Sequence, residues 1–224
     1  MKLIFDFADH LLRTATASIV GEDQSLIPRL LLQRVHVAWH LLAACCAPGP
    51  AYAKSFLSRL NTLWRHVFPR SHADFEQEQQ RGDSFTWTLS FNQRSGALGS
   101  MASFLSVCPL LERNTRIDDV TQRILTTLDT AVLMLRHAPN LIKHFGSQLR
   151  TPTVMFRLRL YQLLLLIPVR FYEQHRTVLI RELVAEFTLN DNPSATSTSL
   201  LRFACHDDDE CSLLGKRQWR WMCM

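Results

Sequence analysis

Apolar residues recur at helical spacing along most of this chain. Over residues 26–47, Ile27, Leu31, Val35, Ala38, Leu42 and Cys45 step by three or four, which places them on one helix face. Pro48-Gly49-Pro50 ends the run, because proline removes a backbone donor and fixes φ. Residues 51–68 predict the next helix, with Phe56, Leu60, Leu63, Trp64 and Val67 facing inward and Pro69 closing it. So short a break implies an antiparallel pair. Residues 71–82 are polar and acidic and predict a loop with a helical turn or two.

Residues 85–107 predict a helix, because Ala97, Met101, Phe104 and Leu105 keep the period. Thr86, Thr88, Gly96 and Gly99 weaken that reading, and a strand over residues 84–91 is its alternative. Residues 117–136 form the clearest stripe: Ile117, Val120, Ile124, Leu128, Ala131 and Leu135. Thr115 with Asp118 resembles a capping box, and Pro139 predicts a stop. A short amphipathic helix is expected over 140–149. Residues 151–167 are apolar on almost all sides, which predicts a helix covered by several neighbours. Residues 173–188 read as its returning partner, with Ile180, Leu183, Val184 and Phe187 buried. Asn190-Asp191-Asn192-Pro193 marks a turn, and Ser194 or Thr196 caps a last helix to about residue 205.

This pattern predicts an all-α fold, a degenerate solenoid of antiparallel helix pairs, with a closed helical bundle as the second architecture. No regular repeat of roughly 40–47 residues is visible. Composition agrees. The 224 residues include only 7 Gly and 9 Pro, fewer turn formers than an all-β fold needs. The greasiest stretch, residues 163–169, is bounded by Arg159 and Arg170 and is far short of the ~20 apolar residues of a membrane span. Asp6 and Asp9 break the apolar start, so the N-terminus does not read as a signal peptide. The expected organisation is a helical lead-in over 1–24, a repeat-like helical segment over 25–206, and an acidic loop with a divergent tail over 207–224.

The net charge of +5 is carried by single basic residues scattered along helices, without the clustered stripe of a nucleic-acid footprint. Six cysteines, Cys45, Cys46, Cys108, Cys205, Cys211 and Cys223, form no CxxC pair, and no Asn-x-Ser/Thr sequon occurs. A reduced, cytosolic setting fits that usage.

Candidate chemistry is sparse. His36 and His40 share a helix face at zinc-ligand spacing, but residue 37 is Val where a metalloprotease places its general-base Glu, and no third ligand is near in sequence. The run Cys205-His206-Asp207-Asp208-Asp209-Glu210-Cys211 mixes hard and soft ligands and reads as a solvated acidic loop. Gly96-Ala97-Leu98-Gly99-Ser100 lacks phosphate-loop spacing and suggests close helix packing. Arg157 and Arg159 interrupt an apolar helix and predict an ion pair with Glu182 or Glu186. No catalytic, cofactor-binding or metal residue is assigned on these grounds, and a poorly active truncated isoform or a metal-dependent hydrolase using His36 and His40 is kept as an alternative.

Four stretches carry a resemblance: LWRHVFPRS (63–71), RGDSFTWTLSFNQRSGALGSMASFLSVCPLL (81–111), RLRLYQLLLLIP (157–168) and LIRELVAEFTLNDNPSATSTSLLRFACHDDD (179–209). In this wording, from about Leu30 to Gly215, the chain resembles the HEAT repeat-containing protein 5 family. The resemblance implies a HEAT-type α-solenoid without enzymatic activity or cofactor. It also implies a scaffold in endosome-to-Golgi retrograde transport, endocytosis and protein localisation. The partners implied are the clathrin adaptor complex of the trans-Golgi network and its accessory proteins aftiphilin and gamma-synergin. The setting implied is cytoplasmic, peripheral to Golgi and endosomal membranes.

The family's proteins are far longer, so this chain reads as one segment of such a solenoid, a short or truncated form. A solenoid cut at both ends predicts self-association through its exposed faces. The end from Lys216 is unlike the family. It sets Trp219 and Trp221 among Lys216, Arg217 and Arg220, which reads as a disordered tail, with contact to an anionic membrane surface as the sharper option.

Overall fold

The computed structural model describes residues 1–17, 27–110 and 119–187. Among them the chain is all-helical, with eight α-helices and no strand. These are α1 (Lys2–Ala17), α2 (Ile27–Cys46), α3 (Pro50–Val67), α4 (His72–Arg81), α5 (Ser84–Val107), α6 (Asp119–Phe145), α7 (Arg150–Leu164) and α8 (Arg176–Phe187). No helix of the described residues is long and apolar enough to cross a membrane. The capping box at Thr115 and Asp118 and the last helix to residue 205 lie outside the described residues.

Helix α5 organises the rest. It packs closely on α2 and α7, and α2 packs in turn on α1, so α1, α2, α5 and α7 form a continuous row. α3 packs on α2 and α5, while α6 packs on α7 and touches α3 and α4. The closest partners of α2 are therefore α1 and α5, ahead of the α3 that follows it in sequence. The strand alternative over 84–91 is not adopted. Trp87, Phe91, Leu98, Met101 and Leu105 are all buried along α5, and burying each large apolar side chain is worth roughly 1.5–3 kcal/mol. That outweighs the few tenths lost to threonine propensity. The Asp83 carboxylate caps α5 by accepting from the Thr86 amide at 2.7 Å, and this bond holds the carboxyl below its ordinary value.

The tight row needs small residues at its crossings. A Cβ built on Gly96 would lie 2.3 Å from Trp39 Cγ, so the α2 indole lies directly against the α5 backbone. α1 joins α3 through Phe5, which stacks on Phe56 with ring centroids 4.6 Å apart, and the Arg59 guanidinium lies over the Phe5 ring at 4.3 Å. Arg59 also reaches Asp6 at 2.7 Å and Asp9 at 3.2 Å.

Three elements differ from the sequence reading. The polar stretch 71–82 is a helix, α4. Ser71 caps it by accepting from the Asp74 amide at 3.2 Å, and fully buried Phe75 anchors it against Trp87 and His137. Pro139 does not stop α6, which runs through it to Phe145 and absorbs most of the short helix expected over 140–149. Leu135, Ala138, Leu141 and Ile142 are buried on both sides of the proline, and this continuous apolar face offsets one lost backbone bond. Gly146, at φ 109°, ends the helix in backbone that favours glycine.

The third difference is α8, which begins at Arg176 after two single 3-10 turns. It buries Leu179, whereas Ile180, Leu183 and Val184, expected in the core, are exposed. Phe187's side chain lies outside the described set. Among the described residues α8 does not lie along α7 as a full partner helix.

Candidate functional site

His36 and His40 do share one face of α2, with ring centroids 4.3 Å apart in an edge-on arrangement. Both imidazoles are pushed below their ordinary pKa, first by burial, then by the Arg159 guanidinium of α7, and for His40 also by His36. Among the described residues no carboxylate contributes to either. Among the described residues no group of three His, Cys, Asp or Glu converges into a metal-sized cluster. A fixed guanidinium beside two imidazoles repels a divalent cation, so this geometry gives the metal reading no support.

Arg157 and Arg159 have different surroundings. Arg157 is buried, and its Nη2 lies 3.7 Å from Glu182 Oε2 of α8, one of the two partners the sequence suggested. The side chain of Glu186, the other, is outside the described set. Arg159 lies across Gly99 of α5 and donates to Gln162 Oε1 at 2.9 Å. Burial lowers its pKa, and no carboxylate among the described residues faces it.

The run from Gly96 to Ser100 sits in mid-α5 and serves packing. Gly96 receives Trp39, and the Ser100 hydroxyl accepts from Trp64 Nε1 at 2.8 Å. Neither residue faces an anion cradle. Cys45 and Cys46 are free and buried, and Cys108 is free and half-buried. Burial pushes the Cys46 thiol up to about 11, with the Cys45 and Cys108 thiols adding to the shift, so its thiolate is scarce near neutrality. The Cys205–Cys211 run and the Trp219 and Trp221 tail lie outside the described residues.

The features with the clearest capacity for recognition are surfaces. α1 is amphipathic. Phe5, Ala8, Leu12 and Ala15 enter the core, while Leu3 (83% exposed), Ile4 and Phe7 (54% exposed) stand in solvent. At the other end of the described chain, α8 exposes Ile180, Leu183 and Val184. Exposed apolar groups clustered on one face mark contact surfaces more often than singly scattered ones do. The sequence signal for α1 was present: its apolar residues, Leu3, Ile4, Phe5, Phe7, Leu11 and Leu12, exceed what one buried stripe holds. No family model matches the chain, and no solved structure matches it.

Proposed function

We propose that this chain is a non-enzymatic helical scaffold segment, a degenerate HEAT-type α-solenoid, whose work is to hold protein partners. The observation that carries the reading is the pair of apolar faces exposed among the described residues, Leu3, Ile4 and Phe7 on α1 and Ile180 and Leu183 on α8. A stack of helices that exposes such faces among its described residues offers sites for a neighbouring repeat or a partner helix. The resemblance to the HEAT repeat-containing protein 5 family supplies the setting: clathrin-adaptor-linked traffic between endosomes and the Golgi. The partners proposed are the adaptor complex of the trans-Golgi network, aftiphilin and gamma-synergin.

Co-purification of the tagged chain from cells tests this. Recovery of the adaptor complex or its accessory proteins is expected, with loss on Leu3→Glu or on Ile180→Glu. A preparation that recovers none of them, while remaining folded by circular dichroism, overturns the trafficking assignment for this chain.

A further inference from the structure

A groove between α3 and α6 has a chemistry the scaffold reading does not use. It encloses about 330 Å³ and is lined by Asn61, Thr62 and Arg65 of α3 and by Gln122, Arg123 and Thr126 of α6. Every lining residue is polar. Among the described residues that line it, two are guanidiniums, none is acidic, and none is aromatic. Neither Arg65 nor Arg123 has an ion-pair partner among the described residues, although other arginines do: Arg13, Arg59, Arg94, Arg157 and Arg176 each pair with a carboxylate. A concave polar site with two guanidiniums that no described carboxylate neutralises suits a ligand that is anionic and rich in hydroxyls.

The lining narrows the ligand class. Without an aromatic ring to stack a base, a nucleotide gains little from the site. Without an aliphatic wall, an acyl chain or an apolar peptide side chain gains nothing. Guanidiniums match phosphate bidentately, and amides and hydroxyls match the hydroxyls of a polyol.

We propose that this α3–α6 groove binds a phosphorylated cyclic polyol of the inositol phosphate class, with phosphates on Arg65 and Arg123 and ring hydroxyls on Asn61, Thr62, Gln122 and Thr126. The site stands apart from the apolar faces of α1 and α8, so its failure and the failure of the scaffold reading are separable. The same headgroup exists free and on lipids, and the test distinguishes the two sources.

The full chain is titrated by calorimetry with soluble inositol hexakisphosphate and inositol trisphosphate at physiological ionic strength, and by flotation with neutral vesicles doped with a phosphatidylinositol phosphate. Saturable binding of the soluble compounds is expected. Arg65→Ala and Arg123→Ala each weaken it roughly tenfold or more, the loss of a charge-assisted hydrogen bond. Arg34→Ala, an exposed arginine on α2 that removes the same charge, leaves it unchanged. Vesicle binding with the same arginine dependence assigns the lipid as the source, and its absence assigns the free compound. If an alanine variant unfolds, Arg65→Lys and Arg123→Lys keep the charge and lose the bidentate fit, and weakening is again expected. No binding to either probe overturns the proposal. So does binding that Arg34→Ala weakens as much as Arg65→Ala, since that is diffuse charge attraction.

Discussion

Arg94 of α5 grips Glu78 of α4 through both carboxylate oxygens, at 2.7 and 2.6 Å from its Nη2. The same side chain donates from Nε to the Val67 carbonyl at 3.0 Å and from Nη1 to Met134 Sδ at 3.3 Å. One guanidinium, almost wholly buried, therefore ties the end of α3, the polar α4, the central α5 and the proline-containing α6. Glu78 in turn accepts from Ser90 Oγ at 2.9 Å, so the carboxylate is well satisfied. This network holds a helix of low intrinsic hydrophobicity against the core.

Removing one partner of that pair leaves a buried charge uncompensated. Glu78→Ala is expected to cost about 3 kcal/mol in urea denaturation, near the lower end for a broken buried pair, because Glu78 itself is partly exposed. Arg94→Met is expected to cost less, since the freed Glu78 can turn to water. An Arg94→Met/Glu78→Ala double variant no less stable than Glu78→Ala alone is the signature of the coupling. Independent, additive losses would remove it.

The same pair shows where sequence reasoning stopped. The helices carrying period-3.6 stripes, α2, α3, α5 and α6, and the all-round apolar α7 were legible because their signal is local and apolar. α4 was not. Its stripe is reduced to Phe75, and the rest of its anchoring comes from Arg94, sixteen residues on in sequence. Pro139 misled for a related reason: the stop rule weighs one backbone bond, whereas the apolar positions on either side of it decide the outcome. α8 erred in the other direction. Its periodicity was real, but periodicity cannot say whether a described neighbour covers Ile180 and Leu183. The α3–α6 groove left no sequence signal at all, because Arg65 and Arg123 meet only through packing.

Gly96 and Gly99 are one helical turn apart in α5 and are expected to respond oppositely to alanine. At Gly96 the new Cβ would meet Trp39 at 2.3–2.6 Å, and the α2–α5 crossing must open. Gly96→Ala should destabilise by about 1–3 kcal/mol, as overpacking does. At Gly99 the nearest atom is Arg159 Nε at 3.5 Å, an ordinary contact, so the gain in helix propensity dominates. Gly99→Ala should be neutral or stabilising by up to about 1 kcal/mol. Thermal melts of the two variants decide it, and equal shifts of the same sign would sink the argument.

Ser100 satisfies a buried indole. Its hydroxyl accepts from Trp64 Nε1 at 2.8 Å while donating to the Ala97 carbonyl at 2.8 Å, and both side chains are fully buried. Ser100→Ala strands that N–H and is expected to cost about 1–3 kcal/mol. Combining it with Trp64→Phe, which removes the donor, should recover part of the loss relative to the sum of the single changes. Equilibrium denaturation of the cycle reads the coupling directly, and strict additivity would count against the bond.

Acid sensitivity should begin at the histidines. Burial holds His36, His40 and His137 below their ordinary value of 6.5, with Arg159 adding at the first two and His72 and Arg136 at the third, where Glu76 opposes. The unfolded chain therefore takes up these protons at higher pH than the folded one. Where the unfolded state binds more protons, stability rises with pH. The full contribution is present above 6.5, declines as the pH falls through 6.5 toward the folded values, and levels off below them. Asp9 acts at a lower range. Burial alone would raise its carboxyl, but the bonds from Arg13 and Arg59 outweigh that and hold it down, so its contribution fades only as the pH falls below the usual carboxylate value of 3.8. Urea denaturation between about pH 8 and pH 5 should thus show a monotonic loss on acidification. The double variant His36→Gln/His40→Gln should flatten that slope. A protein that gains stability on acidification across this window, or a double variant with an unchanged slope, is incompatible with the Arg159–histidine arrangement.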